Sequence, residues 1–431
     1  MKNDNQSHQP CCSEYAELSR RKFLKGTSLA GAAGLTAPAW LPKVALARTP
    51  AGVPRDVIML VSLRGAIDGL STIVPYGDPN LYLARPNLAV PQPGMANGAI
   101  DLDGFFGVNP NAAPLMTLFN NGHLAVFHAA GSTDPSRSHF DAMTAMDGGV
   151  PGQDLVGVTT GWLGRHLAVT APTGSGLLRG LAVEDILPLT LDGGPGVLPV
   201  SDPANFGFPG RPETLSERAR AVQLMYGSAK EPLGGASIST FETIDLLNSI
   251  DFGSYVTAGA VPYPGSVFGQ KLRVSAALIK AGIDIEAISI DYTGWDHHNG
   301  QGPINGVLAG MLADLTGSLE AFYLDLLADN TLDGVTGVVL SEFGRRVAEN
   351  SSLGTDHGHG NMMLAFGAHI AGQVYATWPG LAPGQLDGGG DLAITIDYRD
   401  VLAEILEQRA GNTDLSTVFP SFTPTPLGIT V

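Results

Sequence analysis

The sequence predicts an α/β fold with a mostly parallel central sheet and helices on both faces. Short apolar runs rich in branched residues alternate with amphipathic stretches of ten residues or more, which is the pattern of repeated strand–helix units. The run DVIMLVSL at 56–63 stops just before a glycine, as a buried parallel strand does. The 431 residues are 44% apolar and contain no internal repeat or low-complexity linker, which favours one large domain over two.

The remaining elements follow in order along the chain. The pattern predicts a helix at 113–122, a strand at 123–130, a helix at 270–282, a strand at 283–291, a helix at 306–329, strands at 336–344 and 361–370, and a closing helix at 397–411. The region of about 170–265 is rich in glycine and proline and contains one clear helical pattern, at 213–226. We therefore expect this region to be an insertion or a cap over the sheet.

Residues 1–47 have the features of an export signal. The segment SRRKFLKG at 19–26 carries two consecutive arginines, and a weakly apolar run too short to span a bilayer leads to a small-residue cleavage site that ends at Ala47. The paired arginines resemble the twin-arginine consensus, which predicts export by the twin-arginine translocase to a periplasmic or secreted location. The predicted organisation is thus a signal at 1–47 and a single domain at 48–431, without a stable membrane span.

Removal of this leader changes the composition in two ways. Both cysteines, Cys11 and Cys12, are lost, so the mature chain has no disulfide, thiolate ligand or cysteine nucleophile. Six basic and three acidic residues are lost as well, which takes the net charge from −17 to −20. Such a charge repels nucleic acid and anionic lipid, so neither is expected as a partner.

Polar clusters follow four of the predicted strands, at 63–70, 132–142, 293–301 and 341–346, and a fifth, GTDHGHGN, lies at 354–361. In an open parallel sheet the carboxyl ends of the strands share one edge, where ligands bind. Side chains from distant parts of the chain are therefore expected to meet there.

These clusters carry the ligands that divalent metals use in proteins. Imidazoles and carboxylates are supplied by Asp68, Asp296, His297, His298, Glu342, Asp356, His357 and His359. This set suits zinc or manganese and, with fewer imidazoles, magnesium or calcium. A single His-x-His pair is also an ordinary surface feature, but two histidine clusters, each with an aspartate, favour a site for one or two metal ions. Zinc is the metal that we expect before the others.

The segment STDPSRSHFDAM at 132–143 offers the groups that a metal-dependent hydrolase would add. Thr133 and Ser138 are candidate hydroxyl nucleophiles, and Arg137 could bind a tetrahedral anion through its guanidinium. A helix that begins near Ser138 would favour the same anion through its N-terminal amides. The residues alone leave open an alternative, in which Ser136 or Ser138 only caps that helix.

Taken together, these motifs resemble the DUF1501 family of exported bacterial proteins. The similar segments are the twin-arginine leader, LRGAIDGLSTIVPYGDPNLYLARPNLAVP, LDGFFGVNP, SRSHFDA, GWDHHNGQ, LSEFGRRVAEN, GTDHGHGN, GQVYATWPGL and DYRDVLAEIL, and they cover essentially the whole mature chain. That family is grouped with the alkaline phosphatase-like superfamily of phosphatases, phosphodiesterases and sulfatases. The resemblance implies a three-layer α/β sandwich with one or two metals at the strand ends and a hydroxyl or modified nucleophile.

The resemblance also implies roles for individual residues. Those implied as metal ligands are Asp68, Asp296, His298, Glu342, His357 and His359, with His139 as a substitute ligand or catalytic residue. Thr133 stands where sulfatases carry the precursor of formylglycine, and threonine cannot form formylglycine. The resemblance therefore favours a phosphatase or a phosphodiesterase. As its nucleophile, Ser138 is ranked above Thr133. Arg64 and Arg137 would bind the phosphoryl oxygens.

The predicted function is hydrolysis of a small anionic ester, a phosphate mono- or diester or else a sulfate ester, by an exported metal-dependent enzyme. The alternative is a metal-stabilised binding or envelope-assembly protein, because a fold does not confer activity and Glu342 stands where the superfamily has an Asp-His pair. Two ions about 4 Å apart would favour catalysis. One ion bound only by protein ligands would favour a structural role.

Overall fold

A computed structural model describes residues 55–152, 155–208, 210–227, 229–230 and 233–431, so the predicted leader at 1–47 lies outside the described residues. The strands are β1 (Val57–Arg64), β2 (Ile73–Val74), β3 (Ile100–Asp101), β4 (Gly107–Val108), β5 (Leu124–Gly131), β6 (Gly180–Ala182), β7 (Val197–Pro199), β8 (Ala287–Thr293), β9 (Val335–Leu340), β10 (Asn361–Phe366), β11 (Val374–Tyr375) and β12 (Ile396–Asp397).

The helices surround these strands. They are α1 (Gly69–Thr72), α2 (Asn80–Ala84), α3 (Leu115–Asn120), α4 (His139–Gly148), α5 (Trp162–Val169), α6 (Leu215–Tyr226), α7 (Leu233–Asn248), α8 (Val267–Lys280), α9 (Val307–Leu327), α10 (Tyr398–Ala410) and α11 (Leu415–Val418).

Nine strands form the central sheet, in the order β11-β5-β10-β9-β1-β8-β6-β7, with β12 beside β5. β1 lies between β8 and β9 and is parallel to both, whereas β10 is antiparallel to β9 and β5. Because β10 runs in the opposite direction, its first residue lies at the same edge as the last residues of β1, β5, β8 and β9. The chain before β10 therefore meets the chain after those four strands at one edge of the sheet.

Two apolar cores cover the two faces of the sheet. Alternate residues of β1 point in opposite directions, so Met59 and Val61 pack in one core while Ile58 and Leu60 pack in the other. Side chains of α3, α8 and α9 complete the first core, and those of α5, α10 and α11 complete the second. The molecule is therefore a three-layer α/β sandwich, and the predicted fold class is confirmed.

The predicted elements are present, with two differences. The strand expected at 283–291 begins only at Ala287, because Asp284 has a φ of 58°, which is incompatible with extended backbone. The region of about 170–265 contains a second helix, α7, and it also supplies β6 and β7 to the central sheet. It is thus an insertion only in part. β6 and β7 have three residues each, too few to give a periodic pattern in the sequence.

Among the described residues, α9 is the one helix that is long and apolar enough to cross a membrane, with a mean hydropathy of 1.3. Over half of its apolar window, 56%, is buried within the protein, and Leu312, Leu319 and Phe322 pack in the first core. Its apolar composition therefore matches its place between the sheet and its neighbouring helices.

Candidate metal centre

Three histidines and one aspartate converge at the edge where β10 begins. His139 is the first residue of α4 after β5, Asp296 and His298 follow β8, and His357 precedes β10. The donor atoms of His139, Asp296 and His357 all lie within 4.8 Å of one another. Nε2 of His298 lies 3.0 Å from Nε2 of His357 and 3.0 Å from Oδ1 of Asp296. We call these four residues the metal-ligand cluster.

The outer nitrogen of each imidazole in the cluster already has an acceptor. Nδ1 of His139 lies 2.7 Å from Oε1 of Glu342, and Nδ1 of His298 lies 3.2 Å from Oδ1 of Asp356. Nδ1 of His357 lies 2.8 Å from a backbone carbonyl oxygen. An ionised carboxylate or a carbonyl oxygen only accepts hydrogen bonds, so each Nδ1 carries a proton and each Nε2 is left for a second proton or a metal ion.

The three Nε2 atoms of the cluster lie close together. Nε2 of His357 lies 3.0 Å from Nε2 of both His139 and His298, and 3.2 Å from Oδ1 of Asp296. Nε2 atoms this close repel unless a proton or a metal ion lies among them. Two ligands of a tetrahedral zinc ion lie about 3.3 Å apart, since each is about 2.0 Å from the metal. The donor set and its spacing therefore fit a divalent ion, with each imidazole oriented through its other nitrogen as is usual for metal-binding histidines.

The charges around the cluster shift the pKa values of its members. Burial raises the pKa of Asp296, but hydrogen bonds from the three histidines and the charge of Arg345 outweigh burial and hold this pKa well below 3.8. Burial lowers the pKa of His139, whereas contacts with Asp296 and Glu342 outweigh it and raise the pKa to about 9. The cluster therefore pairs an ionised carboxylate with imidazoles in surroundings that favour positive charge.

Two buried residues hold the ligands in position. Glu342 accepts a hydrogen bond from the backbone N–H of Gly65 at 2.8 Å as well as its bond from His139. Arg345 donates to Oδ1 of Asp296 at 2.7 Å and to backbone carbonyl oxygens after β1 and β8. Gly65 has a φ of 112°, and a Cβ there would lie 2.8 Å from the backbone nitrogen of Asp296, so glycine is needed for this approach.

Arg345 was not among the residues singled out from the sequence. The signal that could have indicated it is an arginine placed three residues after Glu342, inside a cluster that follows a buried strand. A charged residue that is buried at such a position needs a partner, and the partner here is the aspartate of the cluster.

The structure places Asp68 and His359, both predicted as metal ligands, in other contacts. Asp68 pairs with Arg85 at 2.6 Å, and both side chains are buried. Nδ1 of His359 lies 2.8 Å from Oδ2 of Asp387, and its Nε2 lies 3.1 Å from the backbone oxygen of Asp134. The two imidazoles of the His-x-His pair therefore face different partners, and only the first joins the cluster. Glu342, also predicted as a ligand, contacts the outer nitrogen of His139.

The two arginines predicted to bind substrate are paired with carboxylates. Arg64 donates to both carboxylate oxygens of Asp147 and to Oδ1 of Asp291. Arg137 pairs with Asp391, which is fully buried. To bind a substrate anion, either guanidinium would have to do so while it is still paired with a carboxylate, or would have to leave that carboxylate.

The two candidate nucleophiles differ in position. Ser138 is the N-cap residue of α4, yet its side chain makes no capping hydrogen bond. Both of its neighbours reach the cluster, because His139 is a member and the backbone oxygen of Arg137 accepts the hydrogen bond from Nδ1 of His357. Thr133 is exposed and lines a cavity of about 360 Å³ together with His359. Ser138 is therefore the better placed of the two.

A sequence profile of one protein family matches residues 126–420, a segment that includes the whole metal-ligand cluster; the family is described as "Protein of unknown function (DUF1501)". The chain belongs to the DUF1501 family. No curated protein sequence matches this DUF1501 chain significantly.

Three solved structures illustrate what the DUF1501 chain is similar to. A protein of the alkaline phosphatase superfamily from Vibrio parahaemolyticus is 12% identical with a TM-score of 0.36, over 76% of this chain and 63% of that one. The PsFucS1 sulfatase from Pseudoalteromonas sp. is 12% identical with a TM-score of 0.38, over 84% and 68%. Alkaline phosphatase from the Antarctic bacterium TAB5 is 11% identical with a TM-score of 0.34, over 84% and 100%.

The chain thus spans less than two thirds of the Vibrio protein. At these identities and TM-scores the likeness carries no functional argument, so a function must be inferred from the residues of the DUF1501 chain itself.

Proposed function

We propose that this DUF1501 protein is an exported, metal-dependent hydrolase of phosphate mono- or diesters. The observation that carries the proposal is the convergence of three Nε2 atoms beside the carboxylate of Asp296. Three imidazoles and one carboxylate suit zinc better than magnesium or calcium, because those two metals prefer oxygen ligands. An ion held by His139, Asp296 and His357 would supply positive charge that stabilises the phosphoryl oxygens during ester cleavage.

Ser138 is the proposed nucleophile. Its hydroxyl makes no capping bond, and it directly precedes the first amides of the ten-residue helix α4, which favour an anion. The bond between Oγ and phosphorus forms as the bond to the leaving alcohol breaks, while the hydroxyl proton passes to water and the alkoxide takes a proton from water. A second water then releases phosphate and restores the serine.

Solvent reaches the cluster, which a hydrolytic site requires. The side chains of His298, Asp296 and His357 are 23%, 19% and 17% exposed, whereas His139 behind them is 4% exposed. A small ester can therefore approach from the side of His298 and His357, while the inner ligand stays in contact with Glu342.

The test is a panel of aryl phosphate, phosphodiester and sulfate esters, assayed with the exported protein, its chelated form and two variants. Ser138→Ala is expected to lower kcat by about 10³-fold or more while zinc content stays unchanged, because a nucleophile is lost and the ligands remain. Thr133→Ala, the matched control, should leave turnover little changed. Full turnover of Ser138→Ala, or of the chelated protein, would contradict the mechanism.

A second candidate function is favoured by one observation. Arg64 and Arg137 both pair with carboxylates, so no unpaired guanidinium among the predicted residues faces a substrate anion. This arrangement is what a metal-stabilised binding protein on the same scaffold would show. In that case chelation would lower thermal stability, and every ester in the panel would remain uncleaved.

A further inference from the structure

We propose that the metal-ligand cluster holds one divalent ion and that Arg345 occupies the place where a second ion would share Asp296. The inference rests on the metal site proposed above, but it concerns the number of ions and is independent of turnover. It assigns Arg345 a positioning role, since its guanidinium touches a ligand and not the substrate.

The carboxylates around the cluster are already engaged with protein groups. Glu342 has polar partners on both of its oxygens, among them the outer nitrogen of His139. Asp356 accepts from the outer nitrogen of His298 and from a side-chain amide. Asp68 is held by the buried guanidinium of Arg85. Each of these carboxylates therefore has at least one oxygen that already accepts from a protein donor.

Two donors of the cluster would remain for a second ion, and Arg345 contacts one of them. An ion on His139 and His357 needs one oxygen of Asp296. A second ion would then have Oδ1 of Asp296 and Nε2 of His298, which lie 3.0 Å apart. Nη2 of Arg345 already lies 2.7 Å from that same Oδ1. The full charge of a guanidinium thus stands at the position from which a second cation would bridge the carboxylate.

Arg345 is held in this position. Its guanidinium donates to backbone carbonyl oxygens of Gly65, Ala66, Trp295 and Thr355, and its side chain is only 1% exposed. Moving it aside would leave several buried carbonyl groups without a donor, which is costly. An incoming ion therefore has to compete with a complete set of hydrogen bonds as well as with a positive charge.

The charges give the same result. With the imidazoles neutral, as they are when they bind a metal, the side chains in direct contact with the cluster carry three negative charges, on Asp296, Glu342 and Asp356, and one positive charge, on Arg345. Their sum is −2. One divalent ion neutralises them, whereas two ions would leave two positive charges in a poorly solvated site, and such charges are costly when unpaired. The side chain of Asp356 is 55% exposed, so solvent screens part of its charge and favours a single ion further.

The first experiment counts ions in the wild-type chain. The full exported protein is stripped with a chelator and dialysed against zinc chloride, and its zinc is then measured by elemental analysis. We expect about one tightly bound zinc per chain, in line with one set of ligands. Two tightly bound ions would overturn this inference and leave the proposed hydrolase standing, whereas no bound zinc would overturn both.

Two variants separate the charge of Arg345 from its packing. Arg345→Met removes the charge at similar length, and Arg345→Lys keeps it. We expect Arg345→Met to take up about two zinc ions, the second more weakly, because Asp296 and His298 become available to it, and Arg345→Lys to bind about one. His359→Gln is the control and should bind zinc as the wild type does, since His359 contacts Asp387.

Circular dichroism shows whether each variant is folded. A folded Arg345→Met protein that still stops at one ion would overturn the role assigned to Arg345. If Arg345→Met does not fold, the zinc count of the wild-type chain decides whether the site holds one ion.

Discussion

Glu342 orients the imidazole of His139 without being one of the proposed ligands. Its carboxylate accepts a hydrogen bond from Nδ1–H of His139. This bond fixes the orientation of the ring and keeps the proton on Nδ1, so that Nε2 faces the cluster. The backbone N–H of Gly65 holds the same oxygen from the β1 loop. The tautomer of the innermost ligand is thus set by a residue from another strand end.

Replacement of Glu342 by glutamine tests this control. Glutamine keeps the size of the side chain but loses its charge, so we expect zinc affinity to fall by about 10–100-fold while the fold remains. Competition with a chromophoric chelator measures the affinity. Glu407→Gln, on the exposed side of α10, is the control and should bind zinc as tightly as the wild type. Equal affinities of the two variants would show that the carboxylate does not act on the ligand.

The sequence indicates part of the site, and the limits have physical reasons. Asp296 and His298 follow a parallel strand and lie at the edge of the sheet that the pattern of elements predicts. His357 reaches that edge because β10 is antiparallel, which the pattern does not predict. The partner of Asp68 could not be predicted in this way. Arg85 lies 17 positions later in an irregular segment, and its approach to Asp68 depends on tertiary packing that no periodicity encodes.

At the scale of elements, the reversed direction of β10 brings His357 to the site. A parallel β10 would place the residues before it at the opposite edge of the sheet, far from His139 and Asp296. The segment that leads into β10 packs closely against the chain that follows β9. A Cβ on Gly358 would lie 2.4 Å from the backbone carbonyl carbon of Arg345.

Gly358→Ala is therefore expected to displace His357 and Arg345 together. We expect the free energy of unfolding to fall by about 1–3 kcal/mol, as for other overpacked sites, and zinc affinity to fall with it. Urea denaturation and zinc competition measure the two effects. Gly310→Ala is the control, because Gly310 lies on the exposed face of α9 and its Cβ would meet nothing within 4 Å. That change should raise stability by about 0.5–1 kcal/mol.

The elements also show what sequence patterns detect. The continuous apolar run of β1 and the helical patterns of α8 and α9 are clear in the sequence, and the fold class follows from the alternation of such elements. β6 and β7 extend the sheet by pairing through the backbone, which requires only three residues from each. Backbone pairing of this kind leaves almost no signal in side-chain composition.

At the scale of the whole molecule, two buried histidines influence stability in acid. Burial lowers the pKa of His128 to about 4 and that of His166 to about 3, and both lie away from the metal-ligand cluster. In the unfolded chain each would take up a proton near its ordinary pKa of 6.5. The stability that comes from keeping them neutral is therefore complete above that pH and is lost as the pH falls towards 4 and then 3.

We thus expect the free energy of unfolding to fall below about pH 6.5, by about 1.4 kcal/mol per pH unit for each proton taken up. Urea denaturation at constant ionic strength, with a chelator present so that metal release does not contribute, measures the slope. His128→Gln should reduce the slope by about one proton. Gln408→Asn, an exposed position of α10 without a titratable side chain, should leave it unchanged. An equal slope in both variants would exclude burial of His128 as the cause.

Location is the other property of the whole molecule that can be tested. Arg20→Lys with Arg21→Lys is expected to retain the precursor in the cytoplasm, because the twin-arginine translocase reads the arginine pair as an address. Cell fractionation followed by immunodetection measures the distribution. Export of the double variant at the wild-type level would contradict the twin-arginine route.

His139 and His357 are separated by 218 positions, and the strands beside them, β5 and β10, are neighbours in the sheet. A nascent or truncated chain therefore cannot form the proposed metal site, because His139 and His357 have not yet come together. Metal per mole of purified chain would accordingly count the molecules whose folding has run to completion.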